Sequence, residues 1–389
     1  MAASWMSVGY AVDPQARNAG AAAARAALTG PDAKLLVVFF ALTLDPAELL
    51  AGIRSISGPV PLIGCPTAGE ITGEWAGDGS VVVAALGGPG LSVRTAGIGA
   101  VGQDPSALRD AGSQVVAPMD DLEGGEHRFV LMLTDGQVGN QQDVIRGAYA
   151  TLGASVPLVG GCAATLNEDK QVNSSLLWDD RVVGGSVVAA AVASDNPIGI
   201  GIRHGWERTR HAPEITSANR HVVYELDGQP ALDFYLTQLE APPECWIDET
   251  AFQRFSLLHP LGVRRPSGEE IRVVAYPDYA KRSIVSAADL PEASVVWLMR
   301  GDADALLTAT DEACEEAING LGAHTLAGLL VFDCVGRRRV FGGATTDVAR
   351  MAKHAGGAPI AGFYSQGEIA RTRGIVGYHN QALVVLALG

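Results

Sequence analysis

The chain has 389 residues, 48% of them hydrophobic and 18% charged, with a formal net charge of −15. That length accommodates two domains of about 100–200 residues each, with enough apolar content for a buried core. The acidity argues against binding nucleic acid or docking on anionic lipid, both of which need a basic face, and no apolar run is long enough to cross a bilayer.

The opening stretch, MAASWMSVGYAVDPQARNAGAAAARAAL, carries Arg17 and Arg25 inside its Ala-rich part. No charged region precedes an apolar one, so it predicts a short strand and then a helix after Asp13-Pro14, not a secretory signal. The cysteines Cys65, Cys162, Cys245, Cys314 and Cys334 are odd in number and widely spread. Such spacing suits reduced thiols in a cytoplasm better than a disulfide framework.

LLVVFF (35–40) is an apolar run of strand length. Asp45, Pro46 and Glu48 form a capping box for a helix with Leu49, Ile53 and Ile56 on one face; Gly58-Pro59 stops it, and VPLIG returns as a second strand. The order is strand-helix-strand, which predicts parallel strands joined by a right-handed crossover. It recurs as FVLMLTD (129–135), a helix capped by Asn140, and VPLVG, and again as GLLVFD (328–333), a helix around Thr346 to His354, and APIAG. A further strand candidate follows each return: SVVVAAL (80–86), GSVVAAAV (185–192) and QALVVLAL (381–388). Between the second and third units, Asp195-Asn196-Pro197 marks a domain change, dividing the chain into 1–197 and 198–389. The stretch after it predicts a helix near Pro230–Leu239, strands at IRVVAY and SVVWLM, and a helix from Asp304 to Ile318. The fold class expected is α/β: two domains with mixed sheets, parallel strand-helix-strand units and appended antiparallel strands.

Each returning strand leads into a glycine loop. PLIGCPTAGEIT (61–72) and PIAGFYSQGEIA (359–370) share one layout, in which Pro61, Gly64, Gly69, Glu70 and Ile71 fall on Pro359, Gly362, Gly367, Glu368 and Ile369. A looser third copy, PLVGGCAATL (157–166), lacks the glutamate. Loops leaving the carboxyl ends of parallel strands lie on one sheet edge, the usual ligand side of an open α/β sheet. Gly64 to Glu70 should therefore sit near Ala41 and Leu42, Gly160 to Thr165 near Thr134 and Asp135, and Gly362 to Glu368 near Asp333 and Cys334.

The candidate ligand-binding set is accordingly Gly64, Cys65, Thr67, Gly69, Glu70, Asp135, Gly160, Gly161, Cys162, Asp333, Cys334, Ser365, Gly367 and Glu368. The glycines would let backbone N–H groups approach an anion. Thr67 and Ser365 supply hydroxyls, and Glu70 and Glu368 would point outward to hold a cationic group while Ile71 and Ile369 anchor the loops. Such a set suits an amino acid. The alternative is that Gly-Glu-Ile is a turn whose glutamate caps backbone N–H groups. Cys65, Cys162 and Cys334 could include a nucleophile, which needs a base and a lowered pKa, or could be small buried hydrophobes. His379 could fold back near the last loop, whereas His204 and Trp206 of HGWE read as packing groups. Gly97, Gly99 and Gly102 spell GxGxxG, but the helix begins only after the last glycine, so no dinucleotide site is expected. The arginines of GRRR (336–339) should meet carboxylates. No metal or cofactor signature is present, so neither is expected.

In chain order, GCPTAGEI, TDG with its following Gly-Asn, GGCAA and HGWE resemble the FIST N-terminal domain. ELDGQPALDFY, LMRGDADALL, VFDCVGR and FYSQGEI with a closing apolar strand resemble the FIST C-terminal domain. The resemblance spans nearly the whole chain and implies an intracellular sensory module that binds small ligands such as amino acids, often beside a signalling output domain. Nothing ahead of Gly30 or after Gly389 reads as such a domain, so a separate output partner, or a role in uptake or metabolism, is expected. The competing classes are a hydrolase or related enzyme using a loop cysteine, and a scaffold without a ligand.

Overall fold

The computed structural model describes residues 4–136, 138–164, 175–265, 268–343, 345–371 and 377–389. The last residues of the third loop copy, Thr165 and Leu166, lie outside this set. The first repeat comprises β1 (Trp5–Ala11), α1 (Ala16–Ala27), β2 (Ala33–Ala41), α2 (Pro46–Ser57), β3 (Leu62–Thr67), β4 (Glu70–Thr72), β5 (Ala76–Gly77) and β6 (Val81–Gly87). Asp45 caps α2 as the sequence predicts, accepting from the N–H groups of Ala47 and Glu48. The second repeat comprises β7 (Leu91–Ile98), α3 (Pro105–Val116), β8 (His127–Asp135), α4 (Gln141–Leu152), β9 (Leu158–Ala163), β10 (Ser175–Trp178), β11 (Arg181–Gly184) and β12 (Val187–Ser194).

The third repeat opens with β13 (Ile198–Arg203) and is then interrupted by an insert of short elements: β14 (Glu207–Arg208), β15 (Ile215–Asn219), β16 (Val222–Leu226), β17 (Gln229–Pro230), α5 (Ala231–Gln238), α6 (Glu249–Leu257), β18 (Leu261–Arg265), β19 (Gly268–Arg272), β20 (Val274–Asp278), β21 (Ser283–Ser286) and β22 (Val296–Arg300). The insert has its own core around Tyr235, Phe252, Leu261 and Ile284. IRVVAY, expected as one strand, is split between β19 and β20 at Val273. The repeat resumes with α7 (Ala303–Asn319), β23 (Gly328–Cys334), α8 (Val335–Val340), α9 (Thr346–Ala355), β24 (Ile360–Ser365), β25 (Glu368–Arg371), β26 (Tyr378–His379) and β27 (Leu383–Leu388).

Three six-stranded sheets follow one plan: β1-β6-β2-β3-β10-β11, β7-β12-β8-β9-β25-β26 and β13-β27-β23-β24-β4-β5. In each, the expected strand pair is parallel, as in Leu36↔Leu62, Val130↔Leu158 and Leu329↔Ile360, and the neighbours are antiparallel. The fold is thus the mixed α/β class expected from the sequence. What the sequence reading did not anticipate is that the last strand pair of each sheet comes from another repeat. β4 leaves the first repeat to pair with β24 of the third, β25 leaves the third to pair with β9 of the second, and β10 leaves the second to pair with β3 of the first. The Gly-Glu-Ile segments, expected as loops, are these exchanged strands.

Alternation along the central strands assigns the two faces. Leu35, Val37 and Phe39 of β2, Phe129, Leu131 and Leu133 of β8, and Leu330 and Phe332 of β23 meet in one core shared by the three sheets. Phe39 lies 4.8 Å from Phe363, and Phe332 packs edge-on at 5.7 Å from Phe363. The intervening residues face the helices: Leu36, Val38 and Phe40 under α1 and α2, Val130 and Met132 under α3 and α4, Leu329 and Val331 under α7 and α9. Both faces are dry, which is why these strands read as continuous apolar runs.

Candidate functional site

The carboxyl ends of the parallel pairs carry the candidate residues at the expected places. Ala41 is opposite Thr67, Thr134 opposite Cys162, Asp135 opposite Ala163, and Cys334 opposite Ser365. The repeated first glycine has a packing cause. A Cβ at Gly64, Gly160 or Gly362 would stand 2.7, 1.8 or 2.1 Å from the carbonyl oxygen of Val38, Met132 or Val331, its partner on the adjacent parallel strand. These glycines let strands close on each other; the expected approach to a ligand is not what demands them.

Strand exchange brings the later residues into two groups. Gly69 and Glu70 meet the third repeat, with the Gly69 carbonyl accepting from Tyr364 N at 2.8 Å. Gly161, Cys162, Gly367 and Glu368 form one seam: Glu368 pairs with Gly161, and the Gly367 carbonyl accepts from Cys162 N at 2.8 Å. Cys65 is close enough to Cys162 and Glu70 to feel both, so the repeats converge here.

The two glutamates do not point outward as expected; both are fully buried because they belong to interior strands. One oxygen of Glu70 takes the Thr67 hydroxyl, and the other takes the N–H and hydroxyl of Ser80, at 3.0 and 2.8 Å. Glu368 repeats this with the Ser365 hydroxyl at 2.6 Å and Ala382 N at 3.1 Å. Ser80 and Ala382 lead into β6 and β27, so each carboxyl ties an exchanged strand back to its own repeat. Burial, opposed in part by these hydrogen bonds, pushes the pKa of Glu70 up to about 7 and that of Glu368 to about 8.

All five cysteines are buried and reduced. Thr134 Oγ donates to Cys162 Sγ at 3.1 Å, and burial pushes that thiol up to about 12; burial likewise raises Cys65 and Cys334. Thiols held protonated are weak nucleophiles.

Further charges collect at the same end. Asp333 and Arg337 form a fully buried pair at 2.6 Å, with Arg337 Nη2 also donating to Thr310 at 2.7 Å and Nη1 lacking a partner among the described residues. Arg338 donates to Asp78 and to the Ala68 carbonyl, both at 2.7 Å. These two arginines meet carboxylates as expected. In the insert, Arg272 is fully buried beside Glu270 at 2.7 Å, with no hydrogen-bond partner for its Nε among the described residues. The buried Tyr378 senses Cys162, Glu368 and Arg272 together. His379 does return to the last loop, opposite Glu368 in β26. Trp206 Nε1 donates to the Gln381 carbonyl at 3.2 Å, and His204 Nδ1 accepts from Trp206 N at 3.0 Å, a packing arrangement. Arg272, Glu270 and Tyr378 were missed by the sequence reading. Their signal was slight: Arg272 falls inside the predicted strand IRVVAY and Glu270 just ahead of it, two apart and so on one face once the strand starts at Gly268. Among the described residues no cluster of three or more His, Cys, Asp and Glu could hold a metal ion, and no helix is long and apolar enough to cross a membrane.

Residues 34–229 match the FIST N domain and residues 231–371 the FIST C domain. The chain belongs to the FIST family, whose domains are generally sensory domains of signal transduction. An uncharacterized protein of Mycobacterium bovis, Mb0898c, is 25% identical over 94% of each chain, as is MT0897 of Mycobacterium tuberculosis. MJ1623 of Methanocaldococcus jannaschii, also uncharacterized, is 28% identical over 48% of this chain, a match that spans 36% of that protein. The crystal structure of a chorismatase is 11% identical, with a TM-score of 0.37 over 99% of this chain and 98% of its own.

Proposed function

We propose that this chain is a small-molecule sensor that takes an amino-acid-like zwitterion at the carboxyl-end edge, where the second and third sheets meet under the insert. The observation that carries the reading is the polarity of the two ends of the central core. Its amino end is closed by Trp5, Met6, Leu35, Leu330 and Leu388, which are apolar. At the carboxyl end Asp135 and Glu368 are buried on the core face, Asp333 and Arg337 are buried on the helix side of β23, and Glu270 and Arg272 are buried in the insert. Burying ionisable groups is costly, and such groups gather where a site needs them. Arg272 Nε, without a hydrogen-bond partner among the described residues, supplies a donor for a ligand carboxylate, and Asp135 supplies charge for an ammonium. Glu70 and Glu368 stand behind this surface as clasps. Gly161, Cys162 and Gly367 contribute the strand seam that shapes it. A separate output partner would read the bound state.

The test is a thermal-shift series on the full chain with the common amino acids and with analogues lacking either charge. A ligand that binds only the folded state raises the melting temperature. The reading expects a shift from at least one zwitterion, its loss in both analogues, and its loss in Arg272→Met. No shift from any zwitterion, or equal shifts from deaminated analogues, would overturn it.

A further inference from the structure

A second recess lies at the amino end of β24, away from Ser365 and Glu368. It encloses about 300 Å³ of water-accessible space between the first and third repeats, and Tyr10, Thr72, Glu74, Gly357 and Pro359 are among the residues lining it. We infer that this recess binds a small organic ammonium ion, with the Tyr10 ring and the Glu74 carboxylate as its recognition groups.

Several independent observations point to a cation. Tyr10 is 46% exposed although aromatic. One side of its ring is stacked on Trp75, with centroids 5.9 Å apart and planes at 11°. Trp75 in turn lies on Gly77, where an added Cβ would meet the indole at 2.7 Å. The platform is therefore fixed from behind, leaving the ring to attract a cation through its quadrupole. Among the described residues Glu74 is the only charged one lining the recess, and its carboxylate has no hydrogen bond or ion pair. Its position is set by a tight turn: Thr72 N donates to the Trp75 carbonyl at 2.7 Å, and the Thr72 hydroxyl accepts from Glu74 N at 3.3 Å and Trp75 N at 3.0 Å. Among the described residues no lysine, arginine or histidine lines the space, and the net charge of −15 adds a favourable field. The geometry thus pairs a rigid aromatic wall with an uncompensated carboxylate in a space sized for a small molecule.

The site is separate from the carboxyl-end edge, so the two can be tested apart. Calorimetric titration of the full chain with choline should show saturable binding at millimolar concentration. The neutral isostere, with carbon in place of the quaternary nitrogen, should bind more weakly. Tyr10→Leu and Glu74→Gln, whose exposed positions spare the core, should each weaken choline by about 3- to 30-fold with the thermal midpoint unchanged. Absence of saturable choline binding, equal binding of the isostere, or undiminished affinity in either variant would overturn the inference.

Discussion

The hydroxyl of Ser365 lies 2.6 Å from a carboxyl oxygen of Glu368 and 3.3 Å from the carbonyl oxygen of Asp333. The Glu368 carboxyl accepts from this hydroxyl and from Ala382 N, and burial still favours its neutral form. Thr67 and Glu70 make the corresponding contact in the first repeat.

Stability should therefore decline with rising pH. The folded-state pKa values, about 7 for Glu70 and about 8 for Glu368, lie above the ordinary 4.5. The contribution of each neutral acid is complete below 4.5 and is lost as pH rises through the folded value. Desolvation lowers the half-buried His204 and His379 below 6.5, so their effect falls at lower pH. Each loss accrues from about pH 4.5 up to the folded value, so urea unfolding between about pH 6.5 and 8, above the histidine range, should show its last part, on the order of 1–2 kcal/mol and carried mostly by Glu368. Glu368→Gln, which keeps the neutral shape, should flatten the slope; an unchanged slope would refute the assignment.

Removing the hydroxyls should act on stability first. Thr67→Val and Ser365→Ala should each cost about 1–3 kcal/mol in denaturant unfolding. A double-mutant cycle of Ser365→Ala with Glu368→Gln should show coupling. If either substitution abolished ligand affinity at unchanged stability, the carboxyls would be ligand contacts after all.

The loop thiols should resist alkylation. In native protein, iodoacetamide should leave Cys65, Cys162 and Cys334 intact over a period that fully modifies the denatured chain, because only the thiolate reacts. Rapid labelling of one of them at neutral pH would favour the thiol-enzyme reading.

Glycine substitutions should separate crowding from backbone conformation. Gly160 has φ +147° and its Cβ would strike the Met132 carbonyl, whereas Gly79 has φ +87° and open space around it. Gly160→Ala should cost at least about 3 kcal/mol, and Gly79→Ala about 1 kcal/mol. Equal costs in thermal unfolding would show that strand contact is not the reason for the glycine.

Much of this architecture was legible in the sequence because dry strands leave a plain mark. LLVVFF, FVLMLTD and GLLVFD are apolar at successive positions, and Asp45 and Asn140 are recognisable caps. The edge strands LSVRTAGI and IGIGIR carry no such mark, since they are only partly buried. The exchange was hidden for another reason. β4 is three residues long and pairs with Phe363, so no local pattern names its partner. The roles of Glu70 and Glu368 were misjudged with it: an outward carboxylate was inferred for segments that prove to be interior strands.

The circular lending of strands makes this protein a closed circuit, and a circuit conducts only when complete. While the chain is being synthesised, residues 1–197 can form the pairing of β3 with β10, but β4 must wait for β24 and β9 for β25. Until residues 360–371 emerge, two hydrogen-bonding edges stay open and Ile71 lacks the third repeat's apolar neighbours. Pairings of such range are slow to form and leave sticky surface in the interval. The newborn chain is most exposed to aggregation before its last strands emerge, and 1–197 expressed alone would keep that vulnerability permanently.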